Sequence, residues 1–350
     1  MNVTETIFGK TDQDSPVLCY HCDNGNGLSV SLIPFGATLV QVHTPDQFDH
    51  SGPVTLGFPN LSGYLGPHPS FGSTVGRFCN RIAGAAFTLD GIQHVLSMNE
   101  GKHHLHGGIR GLGRQMWHAE PFTRINQNQT AELGVVFSIH SPPGDMGYPG
   151  ELTARTTYTV SSDNTMRIQF WAQTDATTHV NFTNHAYWNL ALEQEKTVGN
   201  HTLELAATHR LEVDEDAIPT GHFLPTAGTV FDFSNPQQLD LKFRSLRDQN
   251  LTGFDDCYAN PLIKHLPPKA ILKSTLSGRC LSVSSSQPGL QLYTSQFLSG
   301  QPCDGGFGPF SGICLEPQHY PNTPNIDHFP STKLIPGKDY QEEILYQFWV

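Results

Sequence analysis

Apolar and polar residues alternate with a period of two along most of this chain, a spacing typical of β-strands that bury one face. Gly, Pro, Asn and Asp residues separate the alternating segments, as turns require. The pattern predicts strands at residues 28–33, 38–42, 133–139, 152–160, 166–172, 270–273, 280–283, 290–293 and 344–348.

Residues 86–96 predict a β-hairpin. Two alternating segments flank Asp90-Gly91, a pair that suits the tight turn between antiparallel strands. Helical periodicity is scarce, and Pro236 to Leu246 is the best candidate, with room for one or two turns.

Strands this frequent must pair and bury one face each, so the pattern predicts a large all-β sandwich or barrel of antiparallel sheets. A chain of 350 residues could form one large β domain or two average ones. No internal repeat or linker-like run separates two halves. We therefore expect a single domain over residues 1–350 with few short helices.

Composition and net charge restrict the classes of partner that the protein could bind. The net charge is −12 and no basic run is present, which argues against nucleic acid or an anionic membrane as the main partner. Charged residues make up only 15% of the chain. This balance is compatible with a neutral polyol ligand but does not select one.

The cysteines do not form a disulfide framework in the sequence, because they are odd in number and scattered. Cys19 and Cys22 match C-x-x-C, but residues 17–20 predict a strand, and no second pair follows at zinc-finger spacing. Neither a signal peptide nor an apolar run of about 20 residues is visible. We expect a reduced, cytoplasmic protein whose seven cysteines are Cys19, Cys22, Cys79, Cys257, Cys280, Cys303 and Cys314.

Glu316 is the most informative carboxylate. It ends the short apolar run of residues 312–316 and precedes a segment rich in Pro and Asn, which predicts a strand followed by a rigid loop. A Glu at such a junction can be held in a pocket as a general base. Taken alone, it is as well explained as an ordinary loop residue.

Two further segments change that balance: Asn181-Phe182-Thr183-Asn184-His185-Ala186-Tyr187-Trp188-Asn189-Leu190 and Leu105-His106-Gly107-Gly108. Together with the Glu316 segment they resemble the signature of the aldose 1-epimerases. The resemblance covers nearly the whole chain. Its other segments follow in the family's order at 34–39, 76–83, 147–150, 253–255, 288–293 and 334–337.

The resemblance implies one large β-supersandwich of the galactose mutarotase-like kind, with the sugar site on a concave sheet face. It implies an isomerase that interconverts the α and β anomers of free D-galactose and D-glucose without metal or other cofactor, as a monomer or homodimer. Glu316 would be the base and His185 the acid. The sugar-binding residues would be Asn80, Arg81, His106, Asp255 and Gln291.

Departures from the family pattern are modest. Asp256 stands where His is common, Trp188 replaces a usual Phe, and in residues 321–325 an Asn stands where Asp is common. Neighbours in a strand point to opposite faces, so only one of Asp255 and Asp256 should face the sugar. The resemblance favours Asp255, and we expect Asp256 in an ion pair or facing solvent. Tyr187 and Trp188 could equally be core residues, so we leave both out of the site.

The chemistry suits these residue types. Anomers interconvert when a base removes the proton of the C1 hydroxyl while an acid protonates the ring oxygen, and closure reverses both transfers. Burial should raise the pKa of Glu316, and a neighbouring anion should raise that of His185. Outside the site, we expect Arg77 to be a structural ion-pair partner and His103 and His104 to form a solvated turn.

Three other functions fit the sequence less well. A cupin-type metal enzyme would use His104-x-His106, but no carboxylate follows at the needed spacing. A non-catalytic sugar-binding module would lack Glu316 or His185, and both are present. A hexose-6-phosphate 1-epimerase would need extra Arg or Lys for the phosphate, which the acidic chain does not favour.

Overall fold

The structure, a computed structural model, describes residues 1–127, 129–260 and 270–350. Strands dominate it, so the all-β prediction is confirmed. The strands of the first half are β1 (Asn2–Lys10), β2 (Pro16–Asp23), β3 (Ser29–Ile33), β4 (Thr38–Pro45), β5 (Ser51–Pro53), β6 (Thr74–Val75), β7 (Arg81–Ile82), β8 (Ala86–Leu89), β9 (Ile92–Val95), β10 (His104–Leu105), β11 (His118–Ile125), β12 (Ala131–Ser141), β13 (Leu152–Ser161) and β14 (Thr165–Thr174).

The second half continues with strands of 2 to 10 residues. They are β15 (Thr178–His179), β16 (Thr183–Asn184), β17 (Tyr187–Trp188), β18 (His201–Leu205), β19 (His209–Val213), β20 (Pro219–Pro225), β21 (Gln237–Gln238), β22 (Asp255–Ala259), β23 (Ala270–Ser274), β24 (Cys280–Ser285), β25 (Gly289–Tyr293), β26 (Ile313–Gln318), β27 (Lys333–Leu334) and β28 (Tyr340–Trp349).

Three large sheets organise these strands. Five strands form the first sheet in the order β1-β2-β3-β4-β5, and nine form the second in the order β11-β12-β13-β14-β28-β24-β23-β18-β21. The third sheet has six strands, in the order β17-β26-β25-β22-β19-β20. Its strands pair antiparallel throughout.

The main core lies between faces of these sheets, and strand alternation explains its membership. In β28, Ile344, Tyr346 and Phe348 point inward, and in β26 Ile313 and Leu315 do so. This cluster draws on residues from Tyr20 to Phe348, so segments distant in the sequence share one apolar interior. A shared interior agrees with a single domain, which stays a prediction from the sequence.

Two α-helices occur among the described residues, α1 (Leu61–Leu65) and α2 (Leu239–Arg247). The predicted helix at Pro236 to Leu246 is thus confirmed with later bounds, because residues 237–238 pair with β18. Leu239, Phe243 and Leu246 of α2 lie in the core at helical spacing. In the part of the chain that the structure describes, neither helix is long and apolar enough to cross a membrane.

The predicted hairpin is present as β8 and β9, with Leu89 opposite Ile92. Asp90 and Gly91 both have positive φ, as the tight turn requires. The predicted strand at residues 17–20 is part of β2, which also contains Cys22. The seven cysteines all lie within the described residues, and none of them forms a disulfide there.

Two predictions outside the site were wrong. His103 and His104 are buried, and His104 bonds with the Ser97 carbonyl and the Tyr148 hydroxyl, so they do not form a solvated turn. Arg77 is structural but is not an ion-pair partner, because its hydrogen bonds go to one hydroxyl and four carbonyls.

Candidate active site

One cavity of about 200 Å³ collects all seven residues that the sequence singled out. Their proximity was expected from the resemblance, and their roles stay predictions. Four further residues complete the lining. The lining consists of Asn80, Arg81, Glu100, Leu105, His106, His185, Asp255, Gln291, Tyr293, Phe297 and Glu316.

Three neighbouring strands of the six-stranded sheet supply one wall. Gln291 of β25 lies opposite Glu316 of β26, and Asp255 at the start of β22 lies opposite Tyr293. Because side chains alternate, Leu315 enters the core while Glu316 faces the cavity. Glu316 lies within its strand, which runs on to Gln318, and not at the predicted strand–loop junction.

His185 lies between the short strands β16 and β17. Its backbone N–H donates to the Ser73 carbonyl, and its own carbonyl accepts from the Gly72 N–H. Two residues before His185, the Thr183 hydroxyl donates to the Pro317 carbonyl at 2.7 Å. This hydrogen bond connects the segment to the strand that contains Glu316. The main chain that carries the imidazole is therefore fixed on both sides.

His185 and Glu316 face each other, with 3.8 Å between Nε2 and Oε1. Burial, reinforced by the negative charge of Asp255, raises the pKa of Glu316 well above its usual range. Burial also lowers the pKa of His185 to about 4, although a hydrogen bond with its own backbone opposes this. The distance would suit an ion pair, but both directions favour the neutral forms in the empty cavity.

The expected upward shift of the His185 pKa was therefore wrong, while the expected direction for Glu316 is confirmed. The physical reason is desolvation: His185 is 6% exposed and Glu316 2%. In such surroundings, the loss of hydration outweighs attraction between the charged forms. Glu316 Oε2 has no hydrogen-bond partner, so a ligand hydroxyl can bind there.

The hydrogen bonds of His106 identify which of its ring nitrogens is a donor. Its Nδ1 accepts from the backbone N–H of Asn80 at 3.2 Å, so the neutral ring carries its hydrogen on Nε2. Burial, followed by the charges of His185 and Arg81, lowers its pKa well below the usual value. Gly107 next to it has a φ of 84°, and a Cβ there would lie 1.9 Å from the Gly76 carbonyl oxygen. This close approach explains the glycine after His106.

Asp255, Gln291 and Arg81 form a loosely held polar group. Gln291 Nε2 donates to Asp255 Oδ1 at 2.7 Å, whereas Arg81 lies 3.9 Å from Asp255 and 3.6 Å from Glu100. Gln291 Oε1 has no partner. Burial raises the pKa of Asp255, and the charge of Arg81 opposes that shift. These groups retain capacity for ligand hydroxyls.

Asp256 points to the other face of β22, as the alternation predicted. It pairs with Arg210 at 3.1 Å, and the Arg210 guanidinium also lies 3.9 Å from the centre of the Phe231 ring. Burial raises the pKa of Asp256 to about 6, with Arg210 opposing. The expectation of an ion pair is confirmed.

Sequence reasoning missed several residues that touch the cavity or His185. Tyr187 stacks on the His185 ring at 5.1 Å and 14°, while Trp188 is a core residue against Tyr346. Cys314 contacts His185 Nδ1, and strand alternation from Glu316 could have found it. The same rule from Gln291 finds Tyr293. No sequence signal pointed to Glu100 or Phe297.

Metal-ligating atoms converge at one place within residues 1–127, 129–260 and 270–350. His185, Cys314 and Glu316 each bring a ligand atom within 4.8 Å of the others. His104 and His106, the pair that a cupin-type metal site would use, do not both have a ring nitrogen available. Both ring nitrogens of His104 are engaged, by Ser97 and Tyr148, so His104 is not free to act as a ligand together with His106.

A wider cleft of about 730 Å³ adjoins the cavity and shares Leu105, His106 and His185 with it. Its outer wall includes Arg110 and Arg114. Arg114 is committed to structure, since it donates to the carbonyls of Gly66 and His68.

Comparison with known proteins supports the resemblance. A profile of the aldose 1-epimerase family matches residues 18–347. A galactose mutarotase of Sus scrofa is 37% identical over 353 residues, covering 100% of this chain and 99% of its own. An aldose 1-epimerase of Haemophilus influenzae is 36% identical over 330 residues, with 92% of each chain covered. The crystal structure of a GalM/aldose epimerase homologue from C. elegans superposes with a TM-score of 0.83 at 34% identity, covering 94% of this chain and 98% of the other.

Proposed function

Because this chain belongs to the aldose 1-epimerase family, we propose that it interconverts the α and β anomers of free hexoses, D-galactose and D-glucose among them. An isomerase activity agrees with the names of its relatives. The observation that carries the proposal is the pair of His185 and Glu316, which lie 3.8 Å apart at the wall of a small cavity lined mostly with polar groups.

The pair fits the geometry of ring opening. The C1 hydroxyl oxygen and the ring oxygen are both bonded to C1, so a base and an acid only 3.8 Å apart can serve both oxygens. Glu316 takes the hydroxyl proton and His185 Nε2 protonates the ring oxygen as the C1–O bond breaks. Rotation about the C1–C2 bond and closure with the reverse transfers give the other anomer.

The protonation states follow from the two pKa directions. Between the pKa of His185, about 4, and the raised pKa of Glu316, the pair holds one proton in total. When that proton is on His185, the base and the acid are both ready. Sugar hydroxyls that donate to Glu316 Oε2 stabilise this charged form, because they replace the hydration lost on burial.

The remaining residues hold the sugar. Asp255 and Gln291 present oxygens that accept from ring hydroxyls, and Arg81 donates to them when it leaves its 3.9 Å contact with Asp255. His106 donates from Nε2 beside His185, and the two rings lie 5.2 Å apart. Asn80 fixes His106 and borders the cavity itself. These contacts would orient the sugar ring for proton transfer, and such orientation is a large part of the catalytic effect.

A neutral hexose fits better than a hexose 6-phosphate. Three carboxyl groups, those of Glu100, Asp255 and Glu316, line the cavity beside the single guanidinium of Arg81. A phosphate dianion would be repelled by any of them that is ionised. A binding module without catalysis would not explain why an acid and a base share the cavity.

Polarimetry tests the proposal directly. Freshly dissolved α-D-galactose or α-D-glucose should reach its equilibrium rotation faster with the protein than in buffer, and hexose 6-phosphates should show little acceleration. A rate equal to the buffer blank for both free sugars would exclude the proposed activity.

We further propose a cytoplasmic monomer or homodimer whose partner is the small sugar alone. Seven cysteines without a disulfide suit a reducing compartment. Light scattering of the purified protein would give the oligomeric state.

A further inference from the structure

Cys314 contacts the ring of the proposed acid. Its Sγ lies 3.6 Å from Nδ1 of His185, and both residues are buried. Cys314 precedes Glu316 by two residues in β26, so alternation places the thiol and the carboxyl on the same face. Its backbone also pairs with Tyr187, whose ring stacks on the imidazole.

The two nitrogens of His185 therefore have different surroundings. Nε2 faces Glu316 at 3.8 Å, where the sugar is proposed to bind, and Nδ1 faces the sulfur. Tyr187 packs parallel to the ring and His106 meets it at 72°, so the ring is clamped on its sides. A half-turn of the ring would keep this packing but would place carbon atoms opposite Glu316 and the sulfur.

The chemistry requires the nitrogens to differ. An acid that gives and regains its proton at Nε2 cycles between imidazolium and neutral imidazole. Nδ1 keeps its hydrogen in both forms, so that hydrogen needs an acceptor. The opposite tautomer, with hydrogen on Nε2 alone, would leave an imidazolate after donation and would be a very poor acid.

We propose that Cys314 is a positioning residue for proton transfer: its sulfur accepts the hydrogen bond of His185 Nδ1–H and keeps Nε2 as the nitrogen that exchanges a proton with the sugar. This inference rests on the proposed role of His185. No bond to sulfur forms or breaks, and the thiol keeps its own proton throughout.

The strength of the acceptor matters as well as its position. Burial and the charges of Glu316 and Asp255 raise the pKa of the Cys314 thiol well above its usual value, so the sulfur is a neutral, weak acceptor. A weak acceptor stabilises the imidazolium less than the carboxylate of a Ser-His-Asp triad does. The resulting imidazolium is a strong acid, suited to protonating an ether-like ring oxygen.

Nitrogen-15 NMR of the free protein tests the contact without turnover. We expect the wild type to show His185 with hydrogen on Nδ1, Cys314→Ser to keep that tautomer, and Cys314→Ala to mix the two. Cys280→Ala, the same change at a buried thiol in β24, is the control and should leave the His185 signals unchanged.

Kinetics test the consequence. Cys314→Ala should lower kcat roughly tenfold at nearly unchanged KM, far less than the ~10⁴-fold that a wrong tautomer costs in a Ser-His-Asp triad. Serine should restore most of it. The acid limb of the kcat profile should move to lower pH in the alanine variant, which loses the acceptor, and to higher pH in the serine variant, which has a stronger one.

Opposite shifts of this kind are not expected from a packing defect. Unchanged His185 signals in Cys314→Ala, or altered signals with wild-type kcat, would overturn the inference. If the alanine variant does not fold, the serine variant decides: an acid limb identical to that of the wild type counts against us. A wild type inactive on free hexoses would refute the proposed function instead, while the NMR result would stand.

Discussion

Arg77 and Arg81 stand four residues apart in one motif and have opposite surroundings. Arg77 is 2% exposed, and it makes five hydrogen bonds of 2.8–3.1 Å to Ser141, Pro142, Pro149 and Gly150. Arg81 borders the cavity with carboxylates no closer than 3.6 Å. A saturated guanidinium holds loops together, whereas an unsaturated one is available to a ligand.

The adjacent Asp255 and Asp256 repeat the contrast on two faces of one strand. Asp256 forms an ion pair with Arg210 at 3.1 Å. Asp255 lines the cavity together with Gln291 and Glu316, and each of these two neighbours has one side-chain oxygen without a hydrogen-bond partner. Buried polar atoms without partners are costly in a folded protein. Their concentration in one cavity indicates that a ligand completes them.

Substitution of Glu316, the proposed base, should cause the largest loss of kcat. Glu316→Gln keeps the shape but removes the basic oxygen, so kcat should fall at least about 100-fold while the fold and sugar binding persist. Polarimetry and sugar titration would measure both. The control is Glu342→Gln, since Glu342 also faces a histidine, His319, at 3.1 Å but lies outside the cavity lining. A Glu316→Gln rate near the wild type would assign the base to another group.

Next in size is His185→Asn, which removes the acid and leaves a polar side chain. We expect kcat to fall by roughly one to two orders of magnitude with a smaller change in KM. His319→Asn is the matched control and should keep wild-type kinetics. A change in KM alone would mean that His185 binds the sugar and does not protonate it.

The two aspartates should separate binding from stability. Asp255→Ala should raise KM and lower kcat, each by roughly tenfold, because hydroxyl contacts hold the ring for proton transfer. Asp256→Ala should instead lower the free energy of unfolding by roughly 1–3 kcal/mol, since it strands the Arg210 guanidinium. Urea unfolding and steady-state kinetics on both variants would show whether Asp255→Ala affects mainly kinetics and Asp256→Ala mainly stability. Equal kinetic losses in the two would contradict it.

A smaller, conservative exchange tests the arginines themselves. Arg77→Lys keeps the charge but cannot reach five acceptors, so the free energy of unfolding should fall by roughly 1–3 kcal/mol with nearly normal kinetics. Arg81→Lys should do the reverse, raising KM with little loss of stability. The comparison fails if Arg77→Lys changes KM more than Arg81→Lys does.

Periodicity and resemblance predicted much of this arrangement. The hairpin at Asp90-Gly91 and the opposite faces of Asp255 and Asp256 follow from local rules that need no tertiary contact. The burial of His104 and the saturation of Arg77 depend on segments about 40 to 70 residues away, which period-two patterns do not reveal. Cys314 was within reach of the alternation rule, but a thiol among apolar residues gave no chemical signal.

The pH profile is the mildest test, and it depends on desolvation. As the pH rises, the pair of His185 and Glu316 releases its first proton near the lowered pKa of His185, about 4, and its second near the raised pKa of Glu316. Catalysis needs one proton on the pair, so kcat/KM should rise through the first step, stay level and fall through the second.

The acid limb therefore belongs chiefly to His185 and lies below the usual His pKa of about 6.5. This reverses the assignment expected from an attractive ion pair, in which Glu316 would set the acid limb. Glu316→Gln should lose the acid limb from its residual rate, because no carboxyl is left to be protonated, and its alkaline limb should move down to the lowered pKa of His185, which must still carry the proton. A residual rate that stays level up to the usual His pKa of about 6.5 would mean that desolvation does not set the pKa of His185 in this cavity.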